Sequence, residues 1–218
     1  MTEVRPNNET LTRHPLRIVL VHGNMTPGEP SWFAKTKIDL EGLENVQVEA
    51  QLMPDNLLAR EDVWIKKLEK ICDENTVIVG HSSGAIAAMR YAEQHKIAGL
   101  VLISAYETSL EDNKLPQPLR LIVNQLEKLS GYFNRPWDYA AIRRNTKHII
   151  QIGPKDDEII PRSETEAVRA MLPGVEFIEV GKHIHRGHNV ATGTKGDYMP
   201  ELELALQKAI QENKFGLK

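Results

Sequence analysis

The chain has 218 residues, 41% of them hydrophobic and 26% charged, with a formal net charge of -3. That length builds one sizeable core, so a single domain over residues 1–218 is expected, and the charge balance offers no electrostatic basis for holding nucleic acid or an acidic membrane. Its one cysteine, Cys72, excludes an intramolecular disulfide and fits a reducing compartment.

Met1–His14 is polar and lacks the apolar run of a signal peptide. No stretch approaches the ~20 apolar residues that cross a bilayer. An intracellular, cytoplasmic protein without membrane contact is therefore expected. Leu16–Val21 reads as a first strand, Val46–Leu52 as a second, and Glu61–Cys72 as a helix with Val63, Trp64, Ile65, Leu68 and Ile71 at mostly helical spacing. Thr76–Val79 is a third strand and Gly84–His95 a helix rich in Ala and Met. Gly99–Ile103 is the fourth strand. Glu107–Trp137 then breaks the rhythm with Pro116, Pro118 and Pro136 around a short amphipathic helix, Leu119–Leu129. A connection this long is usually functional, so a cap insertion over 107–136 is expected on the active face, the alternative being a surface excursion. Lys147–Ile152 and Val175–Val180 are the last strands. Between them Ser163–Leu172 follows Pro161 and carries Ser163 and Glu166 at capping-box spacing. Met199–Gln211 is a final amphipathic helix.

Alternating strands and helices predict an α/β fold: a mainly parallel sheet of about six strands with helices on both faces. Ligands in such sheets sit at the carboxyl ends of the strands, so chemistry is sought in the loops that follow each apolar run.

After the third strand comes Gly80-His81-Ser82-Ser83-Gly84, and then a helix. This is the G-x-S-x-G nucleophile elbow, and the flanking strand and helix make it specific. Ser82 is the candidate nucleophile. Ser83 sits off the apex; its backbone N–H is a candidate oxyanion donor beside the positive helix N-terminus. After the first strand, Val21-His22-Gly23-Asn24 offers Asn24 as the second donor, or as a plain turn asparagine.

A serine hydroxyl needs a base, and the base needs a carboxylate to orient it. In this chain order the acid follows a late strand and the histidine follows the last one. Gly153-Pro154-Lys155-Asp156-Asp157-Glu158-Ile159-Ile160-Pro161 selects Asp157, with Asp156 the alternative. The last loop holds His183, His185 and His188. Gly187 before His188 favours that residue, whereas the shorter path from the strand favours His183. The three imidazoles also admit a zinc reading, which leaves the elbow unexplained. His14, His95 and His148 read as surface or packing residues, His22 and His81 as supports, and Cys72 as a structural thiol.

The segments Ile71–Thr76, Gly80–Glu93, Met53-Pro54-Asp55, Ala59-Arg60-Glu61, Trp64, Ser104-Ala105-Tyr106 and Gly131-Tyr132-Phe133-x-Arg135-Pro136-Trp137 resemble the retinoblastoma-binding protein 9 family of serine hydrolases. The resemblance runs from Ile18 to about Val180. It implies an α/β-hydrolase fold, a Ser-Asp-His triad with Asp157 as the acid, and neither metal nor cofactor. The stretch between Tyr106 and Gly131 and the loop Gly181–Pro200 are longer here. In the L-x-C-x-E motif that the family's name reflects, Lys70 replaces the leucine in Lys70-Ile71-Cys72-Asp73-Glu74, so retinoblastoma-pocket binding is not expected.

The expected activity is cleavage of a small-molecule acyl substrate, a carboxylic ester, thioester or small amide, through an acyl-enzyme. Trp64, Trp137, Tyr106 and Phe133 are candidates for the pocket walls. The alternative is a weakly active binding or scaffolding protein on the same fold.

Overall fold

Six apolar runs pair into one all-parallel sheet in the computed structural model, which describes residues 15–26, 31–155, 157, 159–181 and 199–216. The strands are β1 (Leu16–Val21), β2 (Val46–Gln51), β3 (Thr76–His81), β4 (Ile97–Ile103), β5 (Thr146–Pro154) and β6 (Glu176–Val180), in spatial order β2-β1-β3-β4-β5-β6. The helices are α1 (Ser31–Glu41), α2 (Glu61–Ile71), α3 (Ser83–Gln94), α4 (Gln117–Ser130), α5 (Tyr139–Asn145), α6 (Arg162–Met171) and α7 (Pro200–Gln211).

Side-chain alternation sorts the strands into two cores. Leu16, Ile18, Leu20, Val77, Val79, Val101, Ile150 and Ile152 pack with Phe33 and Leu40 of α1 and Leu202 and Leu206 of α7. Val19, Val21, Ile78, Leu100, Leu102 and Ile149 face the opposite way, against Trp64 and Leu68 of α2, most of α3, Ile142 of α5 and Val168 of α6. Both faces are covered, which is why the strands read as runs of Val, Ile and Leu. Among the described residues no helix is long and apolar enough to cross a membrane.

The elements differ from the sequence expectations in several places, β3 and β4 among them, which run on to His81 and begin at Ile97. Neither α1 nor α5 is among the elements predicted above: α1 buries only a sparse stripe, Phe33, Thr36 and Leu40, and α5 is a short helix started by the Asp138 carboxylate, which accepts the Ala141 N–H at 2.8 Å. β5 runs from Thr146 to Pro154, beyond both ends of the apolar run. The expected Ser163–Glu166 capping box is not formed. Pro161 stands at the N-cap and α6 begins at Arg162, so Ser163 already lies within the first turn. Glu166 instead pairs with Arg162 at 2.7 Å, and Glu164 accepts the N–H groups of Glu107 at 2.8 Å and Thr108 at 3.1 Å.

Candidate active site

The order β2-β1-β3 sets a topological switch point between β1 and β3, where the chain leaves the sheet in opposite directions and opens a crevice at the strand ends. Val21 is paired with Gly80, which brings the loop after β1 beside the turn after β3. Ser82 occupies that turn at φ 54° and ψ -123°, a conformation that side chains rarely adopt. Its N–H donates to Ile103 O at 2.9 Å, and its carbonyl accepts the Ala85 N–H at 2.8 Å as α3 begins. The flanking glycines are sterically required. A Cβ at Gly84 would lie 2.5 Å from Val21 O and 2.6 Å from His22 O, and one at Gly80 would lie 2.6 Å from Ala85 N. A tight turn between strand and helix therefore tolerates glycine only, and it holds Ser82 at the sheet edge.

Ser83 is the first residue of α3, where N–H groups have no partner within the helix. Asn24 lies half-buried in the turn after β1. That turn is tied down by the Met25 N–H on Asn56 O at 2.8 Å and the Thr26 hydroxyl on Gly23 O at 2.7 Å, and the Asn24 N–H takes no part in those bonds. His22 is fully buried. Its Nε2 accepts the Met53 N–H at 2.9 Å, which leaves Nδ1 to donate to Gly23 O at 2.6 Å. Burial lowers its pKa against that second bond, so the ring is a neutral strut between the ends of β1 and β2. Trp64 meets it edge-on at 5.7 Å and donates Nε1–H to Pro54 O at 2.6 Å, so this indole is a core support. His81 is buried edge-on to Trp32. His95 stacks on Tyr91 and His148 lies 3.3 Å from Glu176, both as packing residues. Burial pushes the Cys72 thiol up to about 12, which makes it inert at neutral pH.

Asp157 follows β5 and is buried. Its Oδ1 accepts the N–H groups of Ile159 at 2.9 Å and Ile160 at 3.0 Å, which fixes the carboxyl plane. The Lys155 N–H donates to Val180 O at 2.8 Å, so the chain leaves β6 immediately beside this loop. Asp156, His183, His185 and His188 lie outside the described residues. Strand ends β3, β4 and β5 stand in succession: Ser82 N–H bonds Ile103 O, and Ser104 N–H bonds Ile152 O at 2.9 Å. Two inter-strand steps separate Ser82 from the Asp157 loop, about 10 Å of backbone spacing.

Three groups went unread in the sequence. Ser104, fully buried, follows β4 at φ 50°, another left-handed residue, next in the chain to Ile103, which accepts the Ser82 N–H. Glu127 on α4 accepts the Tyr106 hydroxyl at 2.8 Å, and Tyr106 in turn lies 3.3 Å from Ser83 Oγ. Burial pushes the Glu127 carboxyl up to about 7, with the Tyr106 bond pulling against it. Arg90 on α3 is wholly buried. It donates to the carbonyls of Tyr132, Arg135 (2.8 Å) and Pro136 (3.1 Å), pairs with Glu93 at 2.7 Å, and lies 3.6 Å from the Trp137 ring centre. It thus clamps the return of the 107–136 stretch to the body; Trp137 closes the same joint with Nε1–H on Glu107 O at 3.1 Å. Arg90→Ala is expected to lower stability by about 3 kcal/mol or more, because it strands several buried carbonyl acceptors at once and takes one partner from Glu93, which keeps Arg135 and the Asp138 N–H. An unchanged urea midpoint would contradict this clamp. An arginine in an otherwise Ala- and Met-rich helix was the available signal.

The profile of the serine hydrolase family matches residues 18–195. Serine hydrolase RBBP9 of Rattus norvegicus is 40% identical over 181 residues, which cover 80% of this chain and 87% of the relative. Among solved structures, the ydeN gene product from B. subtilis superposes with a TM-score of 0.72 at 22% identity, covering 89% of this chain and 98% of that one. Est1E from Butyrivibrio proteoclasticus gives 0.62 at 14% identity over 92% of this chain and 88% of that one. These last two likenesses establish the α/β-hydrolase fold.

Proposed function

This chain belongs to the serine hydrolase family and is a hydrolase, and from that premise we propose that it cleaves small carboxylic esters, thioesters or amides through an acyl-enzyme on Ser82. The observation that carries this reading is the strained Ser82 turn, set at the β1–β3 switch point with the start of α3 on one side and the Asn24 turn on the other. The Ser82 hydroxyl attacks the acyl carbonyl as His188 takes its proton. Asp157 holds the imidazole in the required tautomer and stabilises its cation. The N–H groups of Ser83 and Asn24 bind the developing oxyanion, and they need no reorganisation because the turn and the helix start already fix them. Protonated His188 then gives its proton to the leaving group. Water, activated by the same histidine, releases the acid.

The fixed plane of Asp157 and the exit of β6 beside its loop support this division of roles. The 107–136 stretch, carrying α4, serves in this reading as a cap that shapes the acyl pocket, with Tyr106, Phe133 and Trp137 along its root. The partner is a small acyl substrate.

The test is hydrolysis of an activated ester and a thioester with and without a chelator. Turnover is expected to be unaffected by EDTA, and its pH profile should rise through a limb near roughly pH 6–7, where a histidine base loses its proton. Activity lost to EDTA and restored by zinc would overturn the proposal in favour of metal chemistry at the three-histidine loop.

A further inference from the structure

Three polar side chains from three separate elements meet inside an apolar core. Ser83 opens α3, Tyr106 follows β4, and Glu127 lies on α4; they are 2%, 0% and 4% exposed. Tyr106 belongs to a buried hydrophobic cluster that also contains Ala85, Ile86, Leu110 and Tyr132. Polar groups in such a place are costly unless bonded to one another, and a chain of mutually bonded groups rigidifies the elements that carry it. The bonding has a direction. An ionised Glu127 only accepts, so the Tyr106 hydroxyl donates to it at 2.8 Å. The Tyr106 oxygen is then left as acceptor for the Ser83 Oγ–H at 3.3 Å. Ser83 is thereby held in one rotamer, and its N–H is the group read above as an oxyanion donor.

We propose that Tyr106 and Glu127 are positioning residues that hold Ser83, and through it the oxyanion-binding end of α3, to helix α4 of the insertion. The proposal rests on the reading of Ser82 and Ser83 given above. A turn strained at Ser82 has its helix side fixed by this chain, and the seating of α4 becomes a condition for turnover. A plain packing role would leave Tyr106 and Ser83 acting independently.

The experiment measures kcat and KM for an activated ester at pH 8.5, above the range of Glu127, with folding followed by melting. Ser83→Ala should lower kcat about fivefold, the worth of one buried neutral hydrogen bond, and Tyr106→Phe at least as much, because it also takes the partner of the ionised Glu127; KM should change little in both. The double variant should fall no further than Tyr106→Phe alone, since the bond that Ser83→Ala removes is already lost with the tyrosine hydroxyl. Glu127→Leu should match Tyr106→Phe. Glu127→Gln, whose amide oxygen still accepts the tyrosine hydroxyl, should recover most of that loss and serves if Tyr106→Phe does not fold. Multiplicative losses in the double variant, a change confined to KM, or wild-type kcat for Tyr106→Phe would each overturn the proposal. Ser82→Ala in the same assay separates the two levels. If it stays active, the underlying reading fails; if it is dead while Tyr106→Phe is fully active, only the positioning chain fails.

Discussion

Ser82→Ala is expected to reduce turnover of an activated ester by about 10⁴-fold or more while the protein keeps its fold. The expectation follows from where the strain sits. Ser82 holds φ 54° and ψ -123° because Gly80 and Gly84 pack their backbones against Ala85, Val21 and His22, and none of those contacts involves the serine hydroxyl. Alanine accepts the same backbone at similar cost, so melting should barely change. What is lost is the one hydroxyl at the apex of the strand ends. Ser83→Ala removes a neighbouring hydroxyl that points into the core and should cost only severalfold. A large gap between two adjacent serines is thus the signature expected, and near-wild-type rates for Ser82→Ala would refute the proposed nucleophile.

Asp157→Asn should lower kcat by a comparable factor, about 10⁴, with little change in stability. Oδ1 accepts two backbone N–H groups, and asparagine retains an acceptor there, so the loop should hold its shape. The second position of the side chain changes from a charged acceptor to a donor, which favours the wrong imidazole tautomer and no longer stabilises the imidazolium. Among the histidines, His188→Ala should fall to the level of Ser82→Ala, while His183→Ala and His185→Ala retain most activity. The choice of His188 rests on the residue before it: glycine at 187 tolerates a tight backbone bend that Lys182 and Ile184, which precede the other two histidines, do not. Collapse of His183→Ala with an active His188→Ala would move the base to His183. Full activity in Asp157→Asn would remove the acid assignment.

How much of this was legible depended on whether the signal was local. Strands buried on both faces announce themselves as unbroken runs of Val, Ile and Leu, and Leu16–Val21 matches its strand residue for residue. The elbow was equally plain, because glycine spacing and hydroxyl position are set by one turn. Helix α1 was not legible, since it packs through a thin stripe between charged neighbours. Ser163 and Glu166 have capping-box spacing, yet Pro161 starts α6 earlier and Glu166 pairs with Arg162 instead. The Ser83–Tyr106–Glu127 chain joins residues 21 and 23 positions apart across three elements, and no periodicity encodes such a meeting. The loop that carries Asp157 follows a strand as its register predicts, but which histidine would serve Asp157 depends on a tertiary path that spacing alone does not determine.

Labelling with a fluorophosphonate probe asks whether Ser82 is the nucleophile. The tryptic peptide Ile71–Arg90 carries both Ser82 and Ser83, so fragment ions that cleave between them locate the adduct. A single adduct on Ser82, absent from Ser82→Ala and slowed strongly in Asp157→Asn, is the predicted result. An actively hydrolysing protein that takes up no label, or one labelled at Ser83 or elsewhere with Ser82 unmodified, would contradict it.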